Sequence, residues 1–125
     1  MVQPSSQDAF IGKNTPNGIA GRVDRIRVAA SPSGTKLARG LVQFPLASIP
    51  RGSTITSAVV ELFATFDAHD PALTHGLFPI ETAWLETAVK WSNQPPVQFH
   101  PTATALVGDA RGFKSFVVTA DVQAA

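Results

Sequence analysis

A chain of 125 residues with 44% hydrophobic residues is long enough for one domain with one core, and this hydrophobic fraction argues against disorder. The net charge of +1 gives no drive toward nucleic acid, and the absence of cysteine excludes a disulfide scaffold, a thiolate zinc site and a cysteine nucleophile. No run of about 18 apolar residues is present, so no membrane insertion is predicted. Charged residues make up only 15%, which suits an extracellular module or a packed assembly subunit better than a cytosolic enzyme.

Short apolar runs with period two alternate with glycine and proline turns in the first half of the chain. A turn is predicted over residues 14–18, because asparagine and glycine accept a positive φ and proline presets the bend. On the strand at 22–29, Ile26 and Val28 are predicted to share one face. On the strand at 39–44, Val42 and Phe44 are predicted to point inward and Leu41 outward. The predicted strands of this half are residues 8–11, 22–29 and 39–44.

The second half begins with the longest predicted strand, residues 54–66, which follows a loop or single helical turn at 47–52. Further predicted elements are a polar loop at 67–74, strands at 77–81 and 115–119, and a helical turn at 120–125. The core face of the long strand is predicted to carry Ala58, Val60, Leu62 and Ala64. No long stretch shows apolar residues at helical spacing, so the sequence predicts an all-β, antiparallel fold over residues 1–125 as a single domain.

Residues 82–96, TAWLETAVKWSNQPP, are called the tryptophan segment below, because they hold both tryptophans of the protein. Trp84 and Trp91 have two open interpretations. Their flat faces suit stacking against sugar rings, but large aromatic side chains more often pin a loop into a core. The packing interpretation is favoured, because tryptophan is highly buried on average.

Three blocks of this sequence resemble one known family. They are DAFI at 8–11 followed by RIRV at 25–28, then RGLVQFPL at 39–46 followed by ELF at 61–63, and residues 84–96 of the tryptophan segment followed by FVVT at 116–119. In order and spacing the chain resembles the DNRLRE-type domain, also grouped as carbohydrate-binding module family 96, over essentially its whole length.

The resemblance implies a jelly-roll-like β-sandwich from a secreted or cell-surface protein, and a non-catalytic role, since some family members bind acidic polysaccharide such as alginate. Three features depart from the family pattern. Pro45 stands where an acidic residue is usual, and tyrosine is absent, although aromatic platforms for sugar rings commonly use tyrosine or tryptophan. Further closing strands would also normally follow residues 118–124. We therefore expect a truncated chain, a shorter variant of the fold, or an open sheet edge that a partner strand completes.

The densest basic group suggests how an acidic sugar would bind. Arg25 and Arg27 share a strand face, and Arg39 is expected on a neighbouring strand. Guanidinium groups pair well with carboxylates, so uronic acids are natural ligands for such a face. The alternative is a solvated polar face on which Asp24 and Glu61 neutralise these arginines.

A structural calcium ion is a further expectation, with Asp67 and Asp70 as its candidate ligands in the loop at 67–74. The three histidines, by contrast, show neither the spacing nor the neighbours of a zinc site. No nucleophile with a supporting base and no phosphate-binding loop appear, so the sequence predicts no enzyme.

Two functions remain open from the sequence. The first is a carbohydrate-binding module that uses the arginines and an exposed aromatic such as Phe63 or Phe66. The second is a structural or adhesion subunit of a surface layer or filament, in which neighbouring subunits, including copies of the same chain, complete an open sheet edge.

Overall fold

The computed structural model describes residues 2–21, 25–31, 34, 37–65, 73–108 and 111–125. These residues form antiparallel β-strands and one short α-helix, which confirms the predicted all-β, sandwich-type fold class. The elements are β1 (Gln7–Gly12), β2 (Thr15–Ala20), β3 (Ala29–Ala30), β4 (Leu37–Gln43), β5 (Val59–Ala64), β6 (Leu73–Leu77), a 3-10 turn (Trp91–Asn93), β7 (Ala103–Val107), β8 (Gly112–Val117) and α1 (Thr119–Ala124).

The chain divides into two compact units, each made of two separate segments. Unit 1 contains Met1–Pro50 and the tryptophan segment, Thr82–Pro96, whereas unit 2 contains Arg51–Glu81 and Val97–Ala125. The assignment of residues 1–125 to one domain stays a prediction.

Unit 1 contains a four-stranded antiparallel sheet in the order β2-β1-β4-β3. Gly12 pairs with Thr15, so the connection between β1 and β2 is the two-residue turn at 13–14. The predicted turn at 14–18 was therefore wrong over most of its length. Pro16 is tolerated within β2 because this strand lies at the sheet edge, where its missing N–H breaks no ladder hydrogen bond.

One face of this sheet carries the core of unit 1. Ala9 pairs with Leu41 and Ile11 pairs with Arg39, so these four side chains share a face. Ala9, Ile11 and Leu41 are at most 5% exposed. The prediction that Leu41 points outward was wrong, because Leu41 faces the core of unit 1 beside Ala9 and Ile11.

The opposite face of β4 is approached by residues 25–28, which precede β3. A Cβ on Gly40 would lie 2.9 Å from Ile26 Cδ1 and 3.5 Å from Val28 Cγ2. Ile26 and Val28 thus share a face, as their spacing predicts, but residues 25–28 form no strand. The predicted strand at 22–29 was wrong over 25–28, since this segment packs by side chains without ladder hydrogen bonds, and residues 22–24 lie outside the described residues.

Unit 2 contains an antiparallel pair of β5 and β8, with Val60 opposite Phe116. Residues at even positions from 58 to 64 are half-buried and those at odd positions from 59 to 65 are exposed, which confirms the predicted alternation of this strand. The strand itself is shorter than predicted: residues 54–58 have no ladder pairing, and Phe66 is not described. Phe116 and Val118 form the most buried part of this unit.

The second pair of unit 2 joins β6 and β7, with Leu73 opposite Val107. The sequence analysis missed β7 and placed β6 four residues too late; from the predicted strand at 77–81 only Leu77 and the single bridge at Ile80 remain. The predicted C-terminal helical turn is confirmed by α1. Gln123 Nε2 donates to the Ile55 carbonyl at 2.7 Å, which attaches this helix to unit 2.

Candidate functional site

The tryptophan segment lies over the core face of the sheet in unit 1 and is held there by Gln7. Gln7 Nε2 donates to the Trp84 carbonyl at 2.7 Å, and the Glu86 N–H donates to Gln7 Oε1 at 3.0 Å. Gln7 occupies the same face of β1 as Ala9 and Ile11, so its side-chain amide reaches the segment from the core face of the sheet. These two hydrogen bonds attach the segment to β1.

Glu86 and Gly21 form a second attachment. The Asp8 N–H donates to Glu86 Oε2 at 3.1 Å. Because β2 ends opposite Phe10, the Glu86 side chain takes the place of a strand partner for this N–H. Gly21 packs directly against the Glu86 main chain, since a Cβ at this position would lie 1.5 Å from the Glu86 carbonyl oxygen. Only glycine permits this approach.

The 3-10 turn at Trp91–Asn93 is fixed by Asn93. The Lys90 N–H donates to Asn93 Oδ1 at 2.8 Å, and Asn93 Nδ2 donates to the Ala88 carbonyl at 3.1 Å. Ser92 Oγ also donates to Asn17 Oδ1 at 3.0 Å, which connects the turn to β2. These contacts give Trp91 a defined position above the sheet.

Arg39 projects from β4 into this position. Its guanidinium carbon lies 5.0 Å from the centroid of the Trp91 ring, within the range of a cation–π contact. Arg39 Nη1 donates to Gln94 Oε1 at 2.8 Å, and Gln94 Nε2 donates to the Trp91 carbonyl at 3.1 Å. The Arg39 side chain is exposed, and no described carboxylate forms an ion pair with it. Its positive charge is therefore held in place but not neutralised by the residues described.

Beside Arg39 and Trp91, residues of the tryptophan segment line an open depression of about 420 Å³. Gln94 lines this depression and also accepts the hydrogen bond from Arg39 Nη1. An aromatic face, apolar rings and side-chain amides are the chemical groups that bind sugars through stacking and hydroxyl hydrogen bonds. The lining residues are Thr82, Ala83, Trp84, Leu85, Ala88, Val89, Asn93, Gln94, Pro95 and Pro96.

Both tryptophans are half-buried, so each contributes to packing and still presents part of its ring. The segment's buried anchor is instead Val89, which is 3% exposed. The Trp91 ring contacts Arg39 of β4, and Trp84 lines the depression, so the interpretations of packing and of surface exposure are compatible.

The three predicted arginines do not share one regular sheet face. Arg39 lies on the face covered by the tryptophan segment, whereas Ile26 and Val28, which alternate with Arg25 and Arg27, pack on the opposite face of β4. Arg25 and Arg27 are exposed and form no hydrogen bond or ion pair with another described residue. Their role in ligand binding stays a prediction.

The predicted calcium ligands Asp67 and Asp70 lie outside the described residues. Within the described ranges, no group of three or more histidine or acidic side chains is placed to hold a metal ion. His75 Nδ1 instead lies 3.1 Å from the Leu73 carbonyl, and His100 packs against the Phe99 ring.

A second exposed surface occurs in unit 2, on the outer face of β5 and β8. Phe63 and Phe113 are directly opposite in the ladder and meet edge to face, with ring centroids 5.0 Å apart. Val59 and Val117 form a second opposed pair on the same face. All four side chains are at least 47% exposed.

Sequence reasoning missed Gln7 and Gln94. Neither residue carries a charge, and each acts through a partner that is distant in sequence: 77 positions separate Gln7 from Trp84, and 55 separate Arg39 from Gln94. The only local signal was that Gln94 stands between the Asn93 turn and the Pro95-Pro96 stop.

The family model described as carbohydrate-binding module family 96 matches residues 1–125, the whole chain. No curated protein and no solved structure matches.

Proposed function

Because the chain belongs to carbohydrate-binding module family 96, we propose that it is a non-catalytic extracellular module that holds an acidic polysaccharide such as alginate. Modules of this kind perform no chemistry. They keep a polysaccharide close to the domain to which they are linked, and so raise the local concentration of the polysaccharide around that domain.

The proposed preference for an acidic polysaccharide rests on the surroundings of Arg39. Its guanidinium is exposed and lies over the Trp91 ring, and its side-chain hydrogen-bond partner is the neutral amide of Gln94. A positive charge that is fixed but not neutralised favours an incoming carboxylate. Uronic acids carry such a carboxylate on each ring.

The neighbouring depression supplies the contacts that a sugar ring needs besides its charge. Trp84 offers part of an aromatic face, and Asn93 and Gln94 offer amide groups. Aromatic faces pack against the C–H groups of sugars, and amides pair with hydroxyls. The site thus combines charge, stacking and hydrogen bonding within one segment of unit 1.

Titration calorimetry with alginate oligosaccharides and with neutral gluco-oligosaccharides tests the proposal. We expect binding of the former, and a loss of about 10–100-fold in affinity for Arg39→Gln, because charge-assisted hydrogen bonds contribute about 1.5–3 kcal/mol. Arg51→Gln is the matched control, since Arg51 is an exposed arginine of unit 2. Binding of neutral oligosaccharides alone would overturn the acidic specificity, and binding of neither would overturn the function.

The alternative function, a structural or adhesion subunit, is favoured by one observation: the exposed apolar face formed by Phe63, Phe113, Val59 and Val117. Apolar faces of this kind are common at contacts between subunits. Light scattering coupled to size exclusion distinguishes the two functions. Oligomers that dissociate in a Phe113→Ser variant would support the subunit, whereas a monomer at all concentrations would contradict it.

The structural calcium ion at Asp67 and Asp70 remains part of the proposal on sequence grounds alone. Its test is the melting temperature of the protein with added calcium and with a chelator. A calcium site in the folded state raises the melting temperature with added calcium, because a ligand that binds only the folded state stabilises it.

A further inference from the structure

We infer that Gln94 is the positioning and specificity-determining residue of this site: it fixes Arg39 by one edge of the guanidinium, so that the other edge receives the carboxylate of a uronic acid. This inference rests on the function proposed above and adds to it a residue and a binding geometry.

The orientation of the Gln94 amide follows from its partners. The Trp91 carbonyl can only accept a hydrogen bond, so the amide nitrogen of Gln94 must face it, and the distance of 3.1 Å fits. The amide oxygen then faces Arg39 Nη1 at 2.8 Å, and a guanidinium can only donate. The Trp91 carbonyl pairs only with the amide nitrogen, and the guanidinium pairs only with the amide oxygen. The Gln94 amide therefore has a single orientation.

The orientation of Arg39 follows in turn. Its guanidinium carbon lies over the Trp91 ring, and Nη1 is directed at Gln94. The edge formed by Nε and Nη2 has no partner among the described residues. Two parallel N–H groups on this edge match the two oxygens of a carboxylate, the geometry in which arginine binds carboxylates most specifically.

The prior fixation of Arg39 also favours binding energetically. A long side chain loses rotamer freedom when it binds a ligand, and this loss opposes association. Contacts with Trp91 and Gln94 restrict Arg39 before the ligand arrives. Gln94 therefore contributes to affinity without needing to contact the carboxylate itself.

The neutrality of Gln94 is as important as its shape. A glutamate at this position would accept the same Arg39 hydrogen bond, but it would also neutralise the guanidinium and repel an incoming carboxylate. Gln94→Glu changes almost no volume, keeps an acceptor for Arg39 and adds the negative charge, while the hydrogen bond to the Trp91 carbonyl is lost. We expect it to lower affinity for alginate oligosaccharides at least about tenfold, or about 1.4 kcal/mol, and to reduce the dependence of affinity on salt.

Gln94→Ala and Arg39→Lys complete the series. Gln94→Ala keeps the charge and removes the positioning contact, so we expect a loss of about threefold with unchanged salt dependence. Arg39→Lys keeps the charge and removes the two-donor edge, so we expect a loss of about tenfold, again with unchanged salt dependence.

Gln123→Glu is the matched control. Gln123 Nε2 also donates to a main-chain carbonyl, that of Ile55, so this variant makes the same charge change and loses the same kind of hydrogen bond in unit 2. We expect it to bind alginate oligosaccharides as the wild type does. Circular dichroism checks that each variant is folded, and Arg39→Lys tests the inference independently if Gln94→Glu does not fold.

The outcomes separate the inference from the function on which it rests. If the wild type binds no alginate, the proposed function fails. If the wild type binds and Gln94→Glu binds equally well, only the inference fails. Equal losses in Gln94→Glu and Gln94→Ala would reduce Gln94 to a structural residue and overturn its role in specificity. Equal affinity for dextran sulfate would show that the site accepts any anion rather than a planar carboxylate.

Discussion

Gly21 brings the sheet of unit 1 into main-chain contact with the tryptophan segment. A Cβ at this position would lie 1.5 Å from the Glu86 carbonyl oxygen, which is part of the main chain and cannot rotate away. We expect Gly21→Ala to lower the free energy of unfolding by about 1–3 kcal/mol, the usual cost of overpacking, as measured by urea denaturation.

Gly12→Ala is the control for this substitution. A Cβ on Gly12 would lie 3.3 Å from Thr15 Oγ1, a side-chain atom that can shift. We expect a change within about 1 kcal/mol of the wild type, because the strain is small and alanine restricts the unfolded chain. Equal stabilities of the two variants would show that the segment does not pack against Gly21 in solution.

Single polar side chains were the hardest part of the site to predict. The sequence analysis selected Arg39 for its charge and Trp91 for its size, and both lie in the site as neighbours. Gln7 and Gln94 were not predicted as site residues, because a neutral amide has no preferred partner until the fold brings a main-chain carbonyl or a guanidinium to it. Charge and hydrophobicity are visible in a sequence, but complementary hydrogen bonding is not.

The direction in which side chains face was easier to predict for a strand covered on one face than for a strand covered on both faces. In β5, Glu61 marks the solvent face of an otherwise apolar strand, and burial alternates over Val59–Ala64 as predicted. β4 has covered residues on both of its faces, so period two alone assigned Leu41 to the wrong face. Residues 25–28 alternate as a strand does, yet they pack without ladder pairing, because hydrogen-bond partners are set by neighbouring chain segments and not by local pattern.

The aromatic pair across β5 and β8 provides a test at the level of these elements. Phe63 and Phe113 are opposite each other, with ring centroids 5.0 Å apart. A double-mutant cycle with Phe63→Ala and Phe113→Ala should give a coupling energy of about 0.5–1.5 kcal/mol in favour of the pair, as measured by urea denaturation.

Phe99→Ala is the control for that cycle. Phe99 is 90% exposed and contacts the ring of its neighbour His100, so its removal should change the free energy of unfolding by less than about 0.5 kcal/mol. A coupling energy near zero between Phe63 and Phe113 would mean that β5 and β8 do not pair in the register described.

At the level of the whole molecule, the family assignment required three separated blocks of sequence, and the family model matches all 125 residues. No described helix has the length and apolar character needed to cross a bilayer. Function resides in the arrangement of a few side chains on a widely used fold, which is why the fold class was predictable and the ligand-binding geometry was not.

The charge of the whole molecule predicts how it distinguishes among polyanions. With a net charge of +1, the chain has little long-range attraction for any of them, so binding must come from local contacts such as those of Arg39. We expect alginate to bind and duplex DNA not to bind at 0.15 M salt (about physiological), because non-specific DNA binding requires several simultaneous phosphate contacts. Gel-shift assays with labelled DNA, with and without competing alginate, measure this. DNA that binds and is displaced by alginate would mean that the protein attracts polyanions in general, and Arg39 would then lose its specific role.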